Sequence, residues 1–169
     1  VKVILACLSL VSISCLHAQV LSNPGFESGL EGWKSTERTP ITTAIKEAAR
    51  TGEMGLRVND ASETDGARFA SDAFTVSPGQ KVTISFWARS PQGDVAAVSL
   101  QPLGARNRPI MGENGQPPLV VSIKASPDWK QYKASYAVPD EAEAMIITVR
   151  SWSRSKGVVD IDDFELTVE

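Results

Sequence analysis

Cysteine and histidine are nearly absent. The 169 residues hold two cysteines and one histidine, and all three (Cys7, Cys15 and His17) lie within the first eighteen positions. From residue 19 onward there is no disulfide, no thiolate and no imidazole. That excludes zinc sites of the Cys/His type and both Ser-His-Asp and Cys-His triads. A metal bound by this part of the chain must be held through oxygen, which points to calcium or magnesium. Clustered positive charge is lacking too. The chain has 17 basic and 20 acidic residues, a formal net charge of −3. With no basic run, nothing favours nucleic acid or an anionic membrane surface as a partner. Long apolar runs are limited to one, "VILACLSLVSISCL" at residues 3–16. It is short for a membrane span, which takes roughly 20 residues. With Lys2 before it and "HAQ" after it, the run has the layout of a secretory signal peptide cleaved after Ala18. This predicts an exported protein, secreted or periplasmic, with no membrane insertion. Ser12 stands where a lipoprotein signal carries Leu, which argues against acylation of Cys15.

What remains, residues 19–169, is about 150 residues, the size of one domain with a real core. It reads as short strands between turn signals, the pattern of an all-β sandwich or barrel. In "KVTISFWARS" (81–90), Val82, Ile84, Phe86 and Ala88 point one way, and Thr83, Ser85, Trp87 and Arg89 the other. Further strands are predicted at 94–103, 118–125, 128–139, 144–153 and 157–168, with shorter ones in "GLRVND" and "RFASDAFTV". "TAIKEAARTGE" has some helical period and suits a surface helix or an irregular crossing strand. The Gly-, Pro- and Asn-rich segment from Gly104 to Pro118 is a long loop of the kind that is often functional.

Five motifs then stand in order: "LSNPGFESGLEGW", "ARTGEMGLRV", "VSPGQKVTISFWARS", "WKQYKASYAVP" and "VVDIDDFELT". Together they resemble the carbohydrate-binding modules of families four, nine and twenty-two over nearly the whole chain after the leader. The resemblance implies a jelly-roll β-sandwich of the galactose-binding-domain-like type. It also implies pairing of the first and last strands, which would bring Glu27 near Asp160, Asp162 and Asp163. Carboxylates gathered this way repel unless a cation sits among them. The similar modules carry a structural calcium at this junction. Carried over, its ligands would be Glu27, the Gly52 carbonyl and Asp162, with Glu53 or Asp163 as additions. The same carboxylates would also suit a solvated edge strand.

For function, the resemblance implies a non-catalytic polysaccharide or oligosaccharide binder acting as a monomer. Strand alternation places Trp87 and Arg89 on an outer sheet surface, and Ile146, Thr148, Arg150 and Trp152 outward on their strand. Gln101 is expected to join them from a neighbouring strand. Trp, Arg and Gln on one concave surface suit a sugar, whose apolar face stacks on indole while its hydroxyls take hydrogen bonds. Trp33 and Trp129 are expected to be structural, and Arg106 and Arg108 could reach an acidic sugar from their loop. Catalysis is disfavoured. Glycoside hydrolysis needs two carboxyl groups about 5–10 Å apart, and none falls beside Trp87 or Arg150. The alternatives are an adhesion or matrix protein using the same fold for protein contacts and, after it, a small jelly-roll polysaccharide-degrading enzyme.

Overall fold

In the computed structural model, residues 21–38 and 40–169 are described, and the expected signal peptide lies outside them. Among the described residues, twelve strands form two antiparallel sheets. In chain order they are β1 (Trp33–Ser35), β2 (Thr42–Ile45), β3 (Gly55–Asp60), β4 (Arg68–Ser71), β5 (Phe74–Thr75) and β6 (Lys81–Gln92). There follow β7 (Ala96–Gly104), β8 (Arg108–Pro109), β9 (Leu119–Ser122), β10 (Ser126–Ala137), β11 (Ala144–Ser151) and β12 (Gly157–Val168). One sheet runs β10-β6-β12-β3-β2; the other runs β1-β4-β11-β7-β8, with β5 also on β11 and β9 on β7. The expected all-β sandwich is what forms.

Alternation of side chains places the core between the sheets. Val82, Ile84, Phe86 and Ala88 of β6 are buried, as are Met145, Ile147 and Val149 of β11. Burying every second residue of both strands on one side is what drives the two layers together. At one end an aromatic cluster closes the sandwich. The Trp33 ring stacks on Phe69 with centroids 5.4 Å apart and contacts Phe26 at 5.2 Å and Phe164 at 5.3 Å. The indole N–H of Trp33 donates to the Ser22 carbonyl at 3.2 Å, so the buried ring keeps its one polar group satisfied. Trp33 is structural, as its sequence context indicates.

One expectation needs correction, and an alternative left open is decided in favour of the irregular crossing strand. β1 pairs with β4, while β12 lies between β6 and β3, so the first and last strands are not partners. The chain ends meet through a turn instead, where the Phe164 N–H donates to the Pro24 carbonyl at 3.1 Å. The segment "TAIKEAARTGE" forms no surface helix. β2 enters a single 3-10 turn at Lys46–Ala48, and the chain then crosses the outer face of the β6–β12–β3 sheet. Pairing of β2 with β3 outweighs its weak helical period.

Candidate functional site

The five residues expected to share one binding surface lie on two different sheets. Trp87 and Arg89 belong to β6, Gln101 to β7 and Arg150 to β11, with Trp152 just beyond β11. Their outward faces point away from each other across the core.

On the β6 side, the outer face is a locked polar lattice. Asp160 of β12, fully buried, accepts from Arg57 Nε at 2.7 Å and Arg57 Nη2 at 2.9 Å, and from Arg89 Nε at 2.9 Å. Arg89 also donates to the Glu47 carbonyl at 2.7 Å and lies 5.0 Å over the Trp129 ring. Hydrogen bonding to Asp160 raises the Arg57 guanidinium above its ordinary value, against the opposing effect of burial. Arg50 from the crossing segment sits 3.7 Å over the Trp87 ring and pairs with Asp163 at 2.7 Å. Trp87 and Arg89 therefore already have partners within the fold and hold the 46–54 crossing onto the sheet.

Gln101 also differs from expectation. It is buried, and its amide nitrogen donates to the carbonyls of Pro102 at 2.9 Å and Ile110 at 2.7 Å. It pins the long 104–118 loop to β7. The loop, folded back over this position, takes the amide that parity alone leaves facing outward.

The open surface lies on the other sheet, along β1, β4 and β11. Two hollows of about 410 and 380 Å³ adjoin across shared Thr36, Arg68 and Arg150 and lie along one trough. Lys34, Ala70 and Thr148 extend it at one end; Glu37, Asp65 and Trp152 line the other. Trp152 is 42% exposed, and few large apolar side chains are as open. The Thr148 hydroxyl is buried with no hydrogen-bond partner among the described residues. Arg68 and Arg150 are register partners across the β4–β11 pair. Neither guanidinium makes an ion pair or hydrogen bond among the described residues. Arg68 escapes notice in the sequence. Its strand "RFAS" gives the outward parity, because Phe69 must face the core, but not the neighbour.

The walls of the trough are fixed by side chains turned toward backbone. Glu37 accepts from the backbone amides of Ile41 (2.9 Å), Thr42 (3.1 Å) and Arg68 (3.1 Å), and from the Thr42 hydroxyl. Behind the trough, Ser151 Oγ accepts from the Ala67 amide at 2.6 Å and donates to buried Asp60 at 2.5 Å. At Gly66 a β-carbon would collide with the Ser151 carbonyl. Gly66→Ala is expected to push the 61–66 loop off β11 and cost about 1–3 kcal/mol, read as a lowered melting temperature. An unchanged melting temperature would show that the loop is not packed this tightly.

Of the carboxylates expected to gather near the two chain ends, Glu27 and Asp162 both approach Gly25, while Asp160 lies apart with Arg57 and Arg89. A β-carbon at Gly25 would lie 3.6 Å from Asp162 Oδ1 and 4.0 Å from Glu27 Cγ. Glu27 accepts from the amides of Glu53 and Met54 at 3.0 and 3.3 Å, and a β-carbon at Gly52 would run into its carboxylate. Asp162, fully buried, accepts from the amides of Arg50 (2.7 Å), Thr51 (3.2 Å) and Asp163 (2.7 Å). Burial raises its carboxyl above the ordinary carboxylate value despite these bonds. Asp163 is taken up differently, by the Thr51 hydroxyl at 2.5 Å and Arg50 at 2.7 Å. Among the described residues, no three His, Cys, Asp or Glu side chains are grouped to hold a metal. A cation here would rest on Glu27, Asp162 and backbone carbonyls.

The architecture is a two-layer antiparallel sandwich with a tryptophan- and arginine-lined trough across one open sheet. The chain belongs to the CBM_4_9 family, carbohydrate binding domain, whose profile matches residues 18–156. Exochitinase 1 of Streptomyces olivaceoviridis is 27% identical over 149 residues, covering 88% of this chain and 21% of that enzyme. The chain thus spans about a fifth of the curated relative it matches. Among solved structures, a family 16 carbohydrate binding module-2 superposes with a TM-score of 0.65 at 18% identity, covering 87% of this chain and 98% of that one. The enzymatically active domain of tailspike protein 4 of bacteriophage CBA120 gives a TM-score of 0.72 at 14% identity, covering 90% of this chain and 22% of that one. At such identities these two structures speak for the fold.

Proposed function

We propose that the chain is a non-catalytic, extracytoplasmic module that binds a polysaccharide along the β1–β4–β11 trough. The observation that carries this reading is exposed Trp152 standing beside the unengaged guanidiniums of Arg68 and Arg150 in a trough crossing three strands. A pyranose presents an apolar face to an indole and hydroxyls at its rim to guanidinium N–H groups, and the trough offers both chemistries side by side. An extended chain suits it better than a single sugar because the two hollows adjoin. Affinity electrophoresis through gels containing neutral polymers (xylan, β-glucan, galactan, chitin derivatives) and acidic ones (uronate polymers, dextran sulfate) tests the reading. Retardation by at least one polymer is expected; free migration through all of them would overturn it.

We further propose calcium at the junction of the chain ends, held by Glu27, Asp162 and the Gly52 carbonyl. In support, Asp162 is a buried carboxylate contacted by backbone N–H groups and, among the described residues, by no cationic side chain, and the donors are all hard oxygens. Glu53 and Asp163 are dispensable in this arrangement, since Asp163 is already paired with Arg50. Bound calcium would neutralise the buried charge and tie residues 25–27, the 50–54 turn and β12 together. Removing calcium from the loaded protein with EDTA should lower the melting temperature by about 5–10 °C, and Asp162→Asn should abolish that response. No shift on chelation would reject the calcium site.

A further inference from the structure

We infer that the glycan bound in this trough is anionic, carrying carboxylate or sulfate groups; this deepens the proposed function and rests on it. The first observation is the register of β4 against β11. Arg68 and Arg150 stand directly opposite each other on the outer face. Like charges in facing positions destabilise a sheet, and no acid among the described residues forms an ion pair with either arginine.

The second observation is what the nearby acids do instead. Glu37 lines the same hollow, but its oxygens are turned to three backbone amides and the Thr42 hydroxyl. Asp65 also lines it and forms no ion pair among the described residues. Lys34 at the far end is neutralised by Asp72 at 2.7 Å. Arg38 adds a third guanidinium with no ion pair or side-chain hydrogen bond among the described residues. In a chain of formal net charge −3, three guanidiniums that make no ion pair among the described residues line one trough, against two carboxylates and beside an exposed tryptophan.

A guanidinium presents a planar fork of donors that fits a carboxylate or sulfate ester with two parallel bonds, whereas a neutral hydroxyl uses only part of it. An acidic sugar seated between Arg68 and Arg150 would remove their repulsion and fill both forks at once. The ligand thereby supplies the ion-pair partner that neither arginine has among the described residues.

The test is affinity electrophoresis of the full chain against three uronate polymers, namely polygalacturonate, alginate and glucuronoxylan, each paired with its carboxyl-reduced form. Dextran sulfate against dextran is the sulfate arm. At least one acidic polymer should retard the chain about tenfold more strongly than its neutral counterpart, and added salt should weaken the difference. The arm that responds distinguishes carboxylate from sulfate. The double variant R68Q/R150Q should lose the preference while keeping the wild-type melting temperature or exceeding it, because it removes a repulsive pair. Equal retardation by acidic and neutral forms would overturn the inference while leaving glycan binding intact. Retardation by no polymer at all would overturn both. A preference that survives in R68Q/R150Q would overturn the assignment to these arginines.

Discussion

Trp152→Ala is expected to weaken polysaccharide binding by about 30-fold or more, the loss typical of an aromatic hot spot. Trp152 is 42% exposed at the mouth of the trough and contributes little to the core. Its removal should leave the melting temperature nearly unchanged while deleting the one indole open to a sugar face there. Trp87→Ala is the informative companion. That ring lies under the Arg50 guanidinium at 3.7 Å, so its loss should loosen the 46–54 crossing and lower stability, with glycan retention preserved in the folded fraction. Isothermal titration against a retarding oligosaccharide, alongside thermal melts, separates the two effects. Unchanged affinity in the Trp152 variant together with lost affinity in a folded Trp87 variant would move the site to the opposite sheet.

Asp160→Ala should destabilise the fold severely, costing about 3 kcal/mol or more. The carboxylate is fully buried and is the shared acceptor of Arg57 and Arg89. Without it the guanidiniums of Arg57 on β3 and Arg89 on β6 lose the acceptor they share on the intervening β12. Their side chains remain 26% and 29% exposed, so water recovers part of the loss and keeps the figure at the lower end for a broken buried pair. In a chain of this length that corresponds to a fall in melting temperature of about 6–12 °C. Denaturant unfolding should report the same loss as a lower midpoint with an unchanged slope. A loss under about 0.5 kcal/mol would show that the lattice holds no more than a surface ion pair does. Glycan binding by the folded variant should be unaffected, because Asp160 lies on the sheet opposite the trough.

The two arginine clusters illustrate how the same residue type acquires opposite roles. Arg57 and Arg89 share a buried acid and fasten a crossing segment. Arg68 and Arg150 share nothing and stay available. In the sequence both pairs read the same way, as outward-facing arginines on apolar strands. Trp87 and Trp152 are equally alike on paper, since each falls at an outward parity next to an arginine. Only the 46–54 segment, arriving from a distant part of the chain, covers one and leaves the other open.

Which side of each strand faces the core was legible in the residues alone, because alternation is a local property with period two. So was the sandwich class, through the motif order, and the oxygen-only character of any metal site, through the lack of Cys and His beyond residue 18. The approach of Glu27 to Asp162 was expected from pairing of the first and last strands, but it comes about through the turn at Pro24 instead. Long-range contacts, by contrast, put Trp87 and Arg150 on different sheets, let the 104–118 loop consume Gln101, and set Arg68 opposite Arg150. The physical reason is that strand neighbours are chosen by non-local pairing. The cost of closing long loops and the fit of whole sheets select the partner, and neither is encoded in the few residues of the strand itself.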